Sequence, residues 1–107
     1  MRELDQDLGF LMRRTSQAVR ERLRLKVEQY GLTFQEYQVL SVLGLDRATQ
    51  AGLARTMGLD RSVLGRLLRR MERKGLCTRE PSAADGRVKL VALTESGKRL
   101  LEDLESP

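Results

Sequence analysis

Between Asp60 and Gly75 the apolar residues recur at three- and four-residue spacing, a pattern that only a helix can use. Stepped at about 100° per residue, Val63, Leu64, Leu67, Leu68 and Met71 share one side. Arg61, Ser62, Gly65, Arg66, Arg69 and Arg73 occupy the other. Asp60 is placed to cap the start, because its carboxylate can accept from the free N–H groups of the first turn. Gly75 is placed to end it, because glycine turns left-handed without a Cβ clash. The stretch predicts an amphipathic helix with an apolar back and an arginine-rich front. The rest of the chain must cover that back.

A chain of 107 residues is one domain's worth. Its only aromatics are Phe10, Tyr30, Phe34 and Tyr37, so the core must be built from Leu, Val, Ala and Met. The net charge is +5, but its placement says more. Residues 55–89 hold ten Lys/Arg against four Asp/Glu, and the remainder is close to balanced. A uniformly basic protein could bind polyanions generically, whereas a patch focused in this way reads as a docking surface.

The absences narrow the chemistry. With no His and one Cys there is no zinc constellation, no Ser-His-Asp triad and no Cys-His pair. No Gly-rich phosphate loop is present either. The expectation is a protein that is not an enzyme and needs no metal or cofactor. No apolar run approaches membrane-spanning length and no signal segment opens the chain, so no membrane partner is expected. A single cysteine cannot form an internal disulfide, which fits a cytoplasmic location.

Taken in order, Leu4, Leu8, Leu11, Thr15, Ala18, Val19, Leu23 and Val27 mark one long helix over residues 4–30. At about 40 Å it outreaches a domain with a radius of gyration near 13 Å, so part of its stripe needs a second copy of the chain. Gly31 stops it. Thr33-Phe34-Gln35-Glu36 is a capping box that opens a second helix. Asp46-Arg47-Ala48 is expected as a loop, and Thr49 caps a short third helix from Gln50 to Met57. Small Ala54, then Gly58 four residues on, then the apolar residues after Asp60, together read as a helix-turn-helix.

After Gly75, residues 76–80 and 88–93 are strand-like, and Pro81-Ser82-Ala83-Ala84-Asp85-Gly86-Arg87 between them is turn-rich. Asp85-Gly86 is a favourable hairpin pair. The loop is longer than a reversal needs, so it should project as a wing with Arg87 at its tip. Thr94 caps a last helix carrying Leu100, Leu101 and Leu104. The predicted fold is mainly α with a small β-hairpin: a winged helix-turn-helix with a long N-terminal and a C-terminal helix. It forms one domain over 1–107, with helices over 33–76, the wing over 76–93 and the last helix over 94–105.

These residues resemble the MarR family of bacterial winged-helix transcription regulators. The resemblance is carried by Leu32-Thr33-Phe34-Gln35-Glu36-Tyr37-Gln38-Val39-Leu40, by Thr49-Gln50 with Leu53-Ala54, and by Leu59-Asp60-Arg61-Ser62. It continues through Arg66-Leu67-Leu68 and Arg70-Met71-Glu72-Arg73-Lys74-Gly75-Leu76, then Asp85-Gly86-Arg87, then Leu93-Thr94 with Gly97. It implies a homodimer on a near-palindromic double-stranded DNA operator, usually as a repressor and often released by a small-molecule effector. The family's recognition helix usually begins Ser-Thr-Val-Thr, whereas this one begins Ser62-Val63-Leu64-Gly65. Arg69 stands where an acidic residue is common. Family members usually continue past the position of Pro107 with further helix that completes the dimer, so the resemblance is to a short form.

The candidate DNA-binding residues are Gln50, Arg61, Ser62, Arg66, Arg69, Arg73 and Arg87. Arginine's planar fork can pair with guanine O6/N7 or grip a phosphate. Gln50 and Ser62 suit phosphate contacts, which position without specifying. By resemblance Arg87 enters the minor groove, while Asp85 braces an arginine and supports the wing. Leu4, Leu8, Leu11, Leu101 and Leu104 are assigned to dimerisation. Cys77, in an apolar strand, reads as a small core residue rather than a redox sensor; the peroxide-sensing branch carries its cysteine where Leu8-Gly9-Phe10 stand here. The expectation is firm, salt-sensitive binding with modest discrimination. The rival readings are a winged-helix protein-interaction module and a truncated regulator that pairs with a full-length relative.

Overall fold

The computed structural model describes residues 17–106, which divide into two compact units with the boundary between Leu32 and Thr33. In the first unit, helix α1 is described over residues 17–29. Its exposed face is laced by Arg24, which pairs with Glu21 and with Glu28 at 2.8 Å. It ends where Gly31 takes a left-handed φ of 73°. There Gly31 N–H donates to Glu28 O at 2.9 Å and Leu32 N–H to Val27 O at 3.1 Å. Leu4, Leu8 and Leu11, assigned above to dimerisation, lie outside the described residues.

The second unit runs α2 (Phe34–Leu45), β1 (Ala48–Thr49), α3 (Gln50–Met57), α4 (Arg61–Arg73), β2 (Cys77–Pro81), β3 (Lys89–Leu93) and α5 (Glu95–Glu105). Threonine opens three of its helices. The hydroxyls of Thr33, Thr49 and Thr94 accept from Glu36, Gly52 and Gly97 N–H, each three residues on. At Thr33 the box is complete, because Thr33 N–H donates back to Glu36 Oε1 at 2.9 Å. Two helices end as α1 does, on a left-handed glycine followed by leucine: Gly58-Leu59 and Gly75-Leu76. Leu59 N–H reaches Ala54 O and Leu76 N–H reaches Met71 O, both at 3.0 Å. These six-residue closures satisfy carbonyls that the helix ends would leave bare.

The core joins Val39, Leu40 and Leu43 of α2, Leu53 of α3, Leu64, Leu68 and Met71 of α4, and Val91 of β3. At roughly 25 cal/mol per Å² of apolar surface, burying such side chains is the main force that closes the unit. The sheet is antiparallel in the order β1-β3-β2. Strand β1 was not anticipated. Its two residues, Ala48 and Thr49, pair with Val91 and Leu90, so a stretch expected as loop forms a sheet edge. Strand β2 is displaced by one residue from expectation, since Leu76 closes α4 rather than opening the strand, and β3 begins one residue later than expected. Leu101 and Leu104 are 8% and 3% exposed within this chain. Both side chains are buried within this chain.

Candidate nucleic-acid interface

Helices α3 and α4 are joined by a turn that is set by Gly58 at a φ of 67°. Ala54 is buried there, small enough for the second helix to cross closely. Asp60 holds the N-cap position of α4 with an extended backbone, but its side chain makes no cap hydrogen bond. That corrects the sequence reading of its role: the backbone starts the helix without the carboxylate.

The buried side of α4 is Leu64, Leu67, Leu68 and Met71, as the periodicity requires. On the open side Ser62, Arg66, Arg69 and Arg73 are all exposed. Their spacing of four, three and four residues confines them to an arc of about 60°. At about 1.5 Å per residue the stripe is some 16 Å long. Among the described residues, Arg66, Arg69 and Arg73 form no ion pair.

Several charges flanking the stripe are paired. On one flank Lys74 Nζ donates to Glu36 Oε2 at 2.9 Å, and Arg70 Nε lies 3.5 Å from the same oxygen. On the other, Arg79 of β2 donates to Glu72 at 2.6 Å. Burial pushes the Glu36 carboxyl up, but Lys74, the Thr33 amide and Arg70 outweigh it and hold it below the ordinary value of 4.5. The sequence reading gave Glu36 a capping role and missed this second one.

Gly65 requires a correction. It is buried rather than part of the front. A Cβ there would point at Arg69 Nη1, 3.5 Å away, and Gln50 Nε2, 3.9 Å away. The two polar side chains thus roof the glycine and bring Gln50 of α3 beside the stripe.

Arg61 also departs from the expected grouping. It lies about 100° around the helix from Ser62, off the stripe. The fold instead gathers it with Gln50, Ala51, Arg87, Val88 and Lys89 around an open cleft of about 340 Å³ between the helix-turn-helix and the wing. Lys89, the first residue of β3, was not among the sequence candidates. Nor was Arg55, which shares a second cleft of about 500 Å³ with Asp60 and Arg61 at the turn. The density of basic residues over 55–89 was the one available signal for both.

In the wing, Asp85 acts through its side chain. Its Oδ1 accepts from Arg87 N–H at 3.0 Å and lies 3.3 Å from Arg87 Nε. Gly86 has no left-handed φ, so the loop is not the tight Asp-Gly turn that the dipeptide suggested. Arg87 remains 93% exposed at its side chain despite this contact. Cys77 is buried with its Sγ 3.9 Å from Leu68 O, and burial pushes its thiol up to about 11. Among the described residues no group of His, Cys, Asp or Glu could hold a metal ion, and no helix is long and apolar enough to cross a membrane.

Comparison with known proteins places this geometry. The family model described as "MarR family" matches residues 30–88. The organic hydroperoxide resistance transcriptional regulator of Bacillus subtilis is 31% identical over 101 residues, covering 94% of this chain and 69% of that protein. Among solved structures, a MepR variant from a multidrug-resistant S. aureus clinical isolate superposes with a TM-score of 0.80 at 31% identity, over 91% of this chain and 72% of that one. The S. aureus MepR–DNA complex superposes with a TM-score of 0.73 at 32% identity, over 88% and 78%.

Proposed function

This chain belongs to the MarR family, and from that premise we propose that it is a double-stranded DNA-binding transcription regulator. It acts as a repressor and as a homodimer on a near-palindromic operator. The observation that carries this reading is the stripe of Ser62, Arg66, Arg69 and Arg73, exposed and without ion pairs among the described residues, while Arg70, Lys74 and Glu72 beside it are paired. Leaving three arginines unpaired on one helix face costs self-repulsion, which a polyanion relieves on docking. A single helix, about 10–12 Å across with its side chains, fits the major groove, about 12 Å wide.

The wing extends the same surface. Arg87 reaches the adjacent minor groove, and the cleft holding Gln50, Arg61 and Lys89 receives the phosphodiester strand between the two grooves. The similarity to the MepR–DNA complex supports this docking mode. Support for the homodimer comes from family membership and from Val19, 59% exposed on the α1 stripe assigned to a partner.

Selection of bound duplexes from a random pool tests the reading. Recovered sites should contain two inverted half-sites about 10–10.5 bp apart, centre to centre. A reporter with such a site across its promoter should fall in output when the protein is present. Single, unpaired half-sites would contradict the homodimer, a rise in output would contradict repression, and failure to retain any duplex would contradict DNA binding.

A further inference from the structure

Glu36 is fully buried, and its carboxylate holds the two cations of the α4 C-terminal turn that lie beside the free stripe. Lys74 Nζ donates to both oxygens, at 3.1 and 2.9 Å, and Arg70 Nε lies 3.5 Å from Oε2. Helix geometry alone would not keep Arg70 off the stripe. Arg70 lies about 40° around the helix from Arg66, nearer than Arg69 at about 60°. What separates the two is their partner: Arg70 turns toward Glu36, and Arg66 has no ion pair among the described residues. The Arg70 and Lys74 side chains are 44% and 37% exposed, so both retain a path to the surface.

We propose that Glu36 is a specificity-determining residue, which withdraws Arg70 from the DNA-facing stripe and so limits sequence-independent binding. The proposal rests on the DNA-binding reading of that stripe. Its physical basis is the counterion effect. Each cation placed on a phosphate strengthens binding to every duplex alike and steepens the salt dependence by about 0.9 in log–log slope. One more such cation would raise affinity for all sequences and shrink the ratio between a chosen site and random DNA.

Glutamine is the discriminating substitution. Its side-chain carbonyl can still accept from Thr33 N–H, so the capping box survives while the charge is removed. The experiment is an anisotropy titration over a salt series, using a selected site and a random duplex, with wild type, Glu36→Gln, Arg70→Gln and Arg66→Gln. Glu36→Gln should bind random duplex several-fold more tightly at low salt, with a slope steeper by up to about 0.9 and a smaller selected-to-random ratio. Arg70→Gln should leave the slope within about 0.3 of wild type, while Arg66→Gln lowers it by up to about 0.9. A Glu36→Gln slope equal to or shallower than wild type overturns the proposal, as does an Arg70→Gln loss as large as that of Arg66→Gln. The Arg70→Gln arm decides the matter even if Glu36→Gln fails to fold. Wild-type protein that binds neither duplex overturns the DNA-binding reading itself, which separates that failure from this one.

Discussion

The Cα of Gly97 sits so close to the main-chain carbonyl of Leu76 that a methyl group there would overlap the oxygen. That carbonyl cannot readily move, because it also accepts from Thr94 N–H at 3.1 Å. The end of α4 and the start of α5 are thereby fixed to one atom.

Gly97→Ala should therefore destabilise the protein by about 1–3 kcal/mol, the usual cost of overpacking. For a domain of this size each 1 kcal/mol lowers Tm by about 4–8 °C. Thermal unfolding followed by circular dichroism checks it. An unchanged Tm would mean that the α4–α5 junction has slack the geometry does not show.

Gly65→Ala should act in the opposite direction. The position is an ordinary helical turn, and the added Cβ meets Arg69 and Gln50 only at van der Waals distance. Replacing glycine within a helix should gain about 0.5–1 kcal/mol. A lower Tm for Gly65→Ala would show that the Arg69–Gln50 roof cannot yield.

Both glycines illustrate what could be read from the chain beforehand. The caps at Thr33, Thr49 and Thr94 and the stops at Gly31, Gly58 and Gly75 are local signals, and each falls where its residues predicted. Features that depend on distant chain were not legible. Strand β1 has two residues and no alternation to detect, and it exists only because Leu90 and Val91 pair with it. Glu36 advertises its cap three residues away, but nothing local announces Lys74, 38 residues on. The helical wheel put Gly65 among the polar residues, because a wheel cannot show that Gln50 of another helix closes over it. The stripe was visible as a pattern; that it forms no ion pair among the described residues was not.

Glu36 also predicts a pH dependence. Its folded-state carboxyl is held below the ordinary value of 4.5. The stability its ionisation contributes is therefore fully present above that value and is lost as pH falls through the depressed one. Denaturant unfolding of wild type and Glu36→Gln between pH 7 and pH 3 should show the stability difference shrinking on the acid side. A difference that stays constant across that range would mean the carboxylate gains nothing from Lys74 and Arg70.

Cys77 should be nearly inert in the folded protein. Its thiol is buried and pushed up to about 11, so the reactive thiolate is scarce at neutral pH. A disulfide-exchange reagent at pH 7.5 should label it slowly in native protein and rapidly in urea. Equal rates in both would expose the site as open, and would revive a redox role.

The central claim is that the stripe formed by Ser62, Arg66, Arg69 and Arg73 is the surface that docks on DNA. Its most direct test is the salt dependence of duplex affinity, measured for wild type and for the Arg66→Ala/Arg69→Ala/Arg73→Ala variant with its fold verified. Log affinity should fall steeply and linearly with log salt for wild type, with a slope shallower by about two to three in the variant. A salt-insensitive wild type, or a variant with the wild-type slope, would contradict that claim.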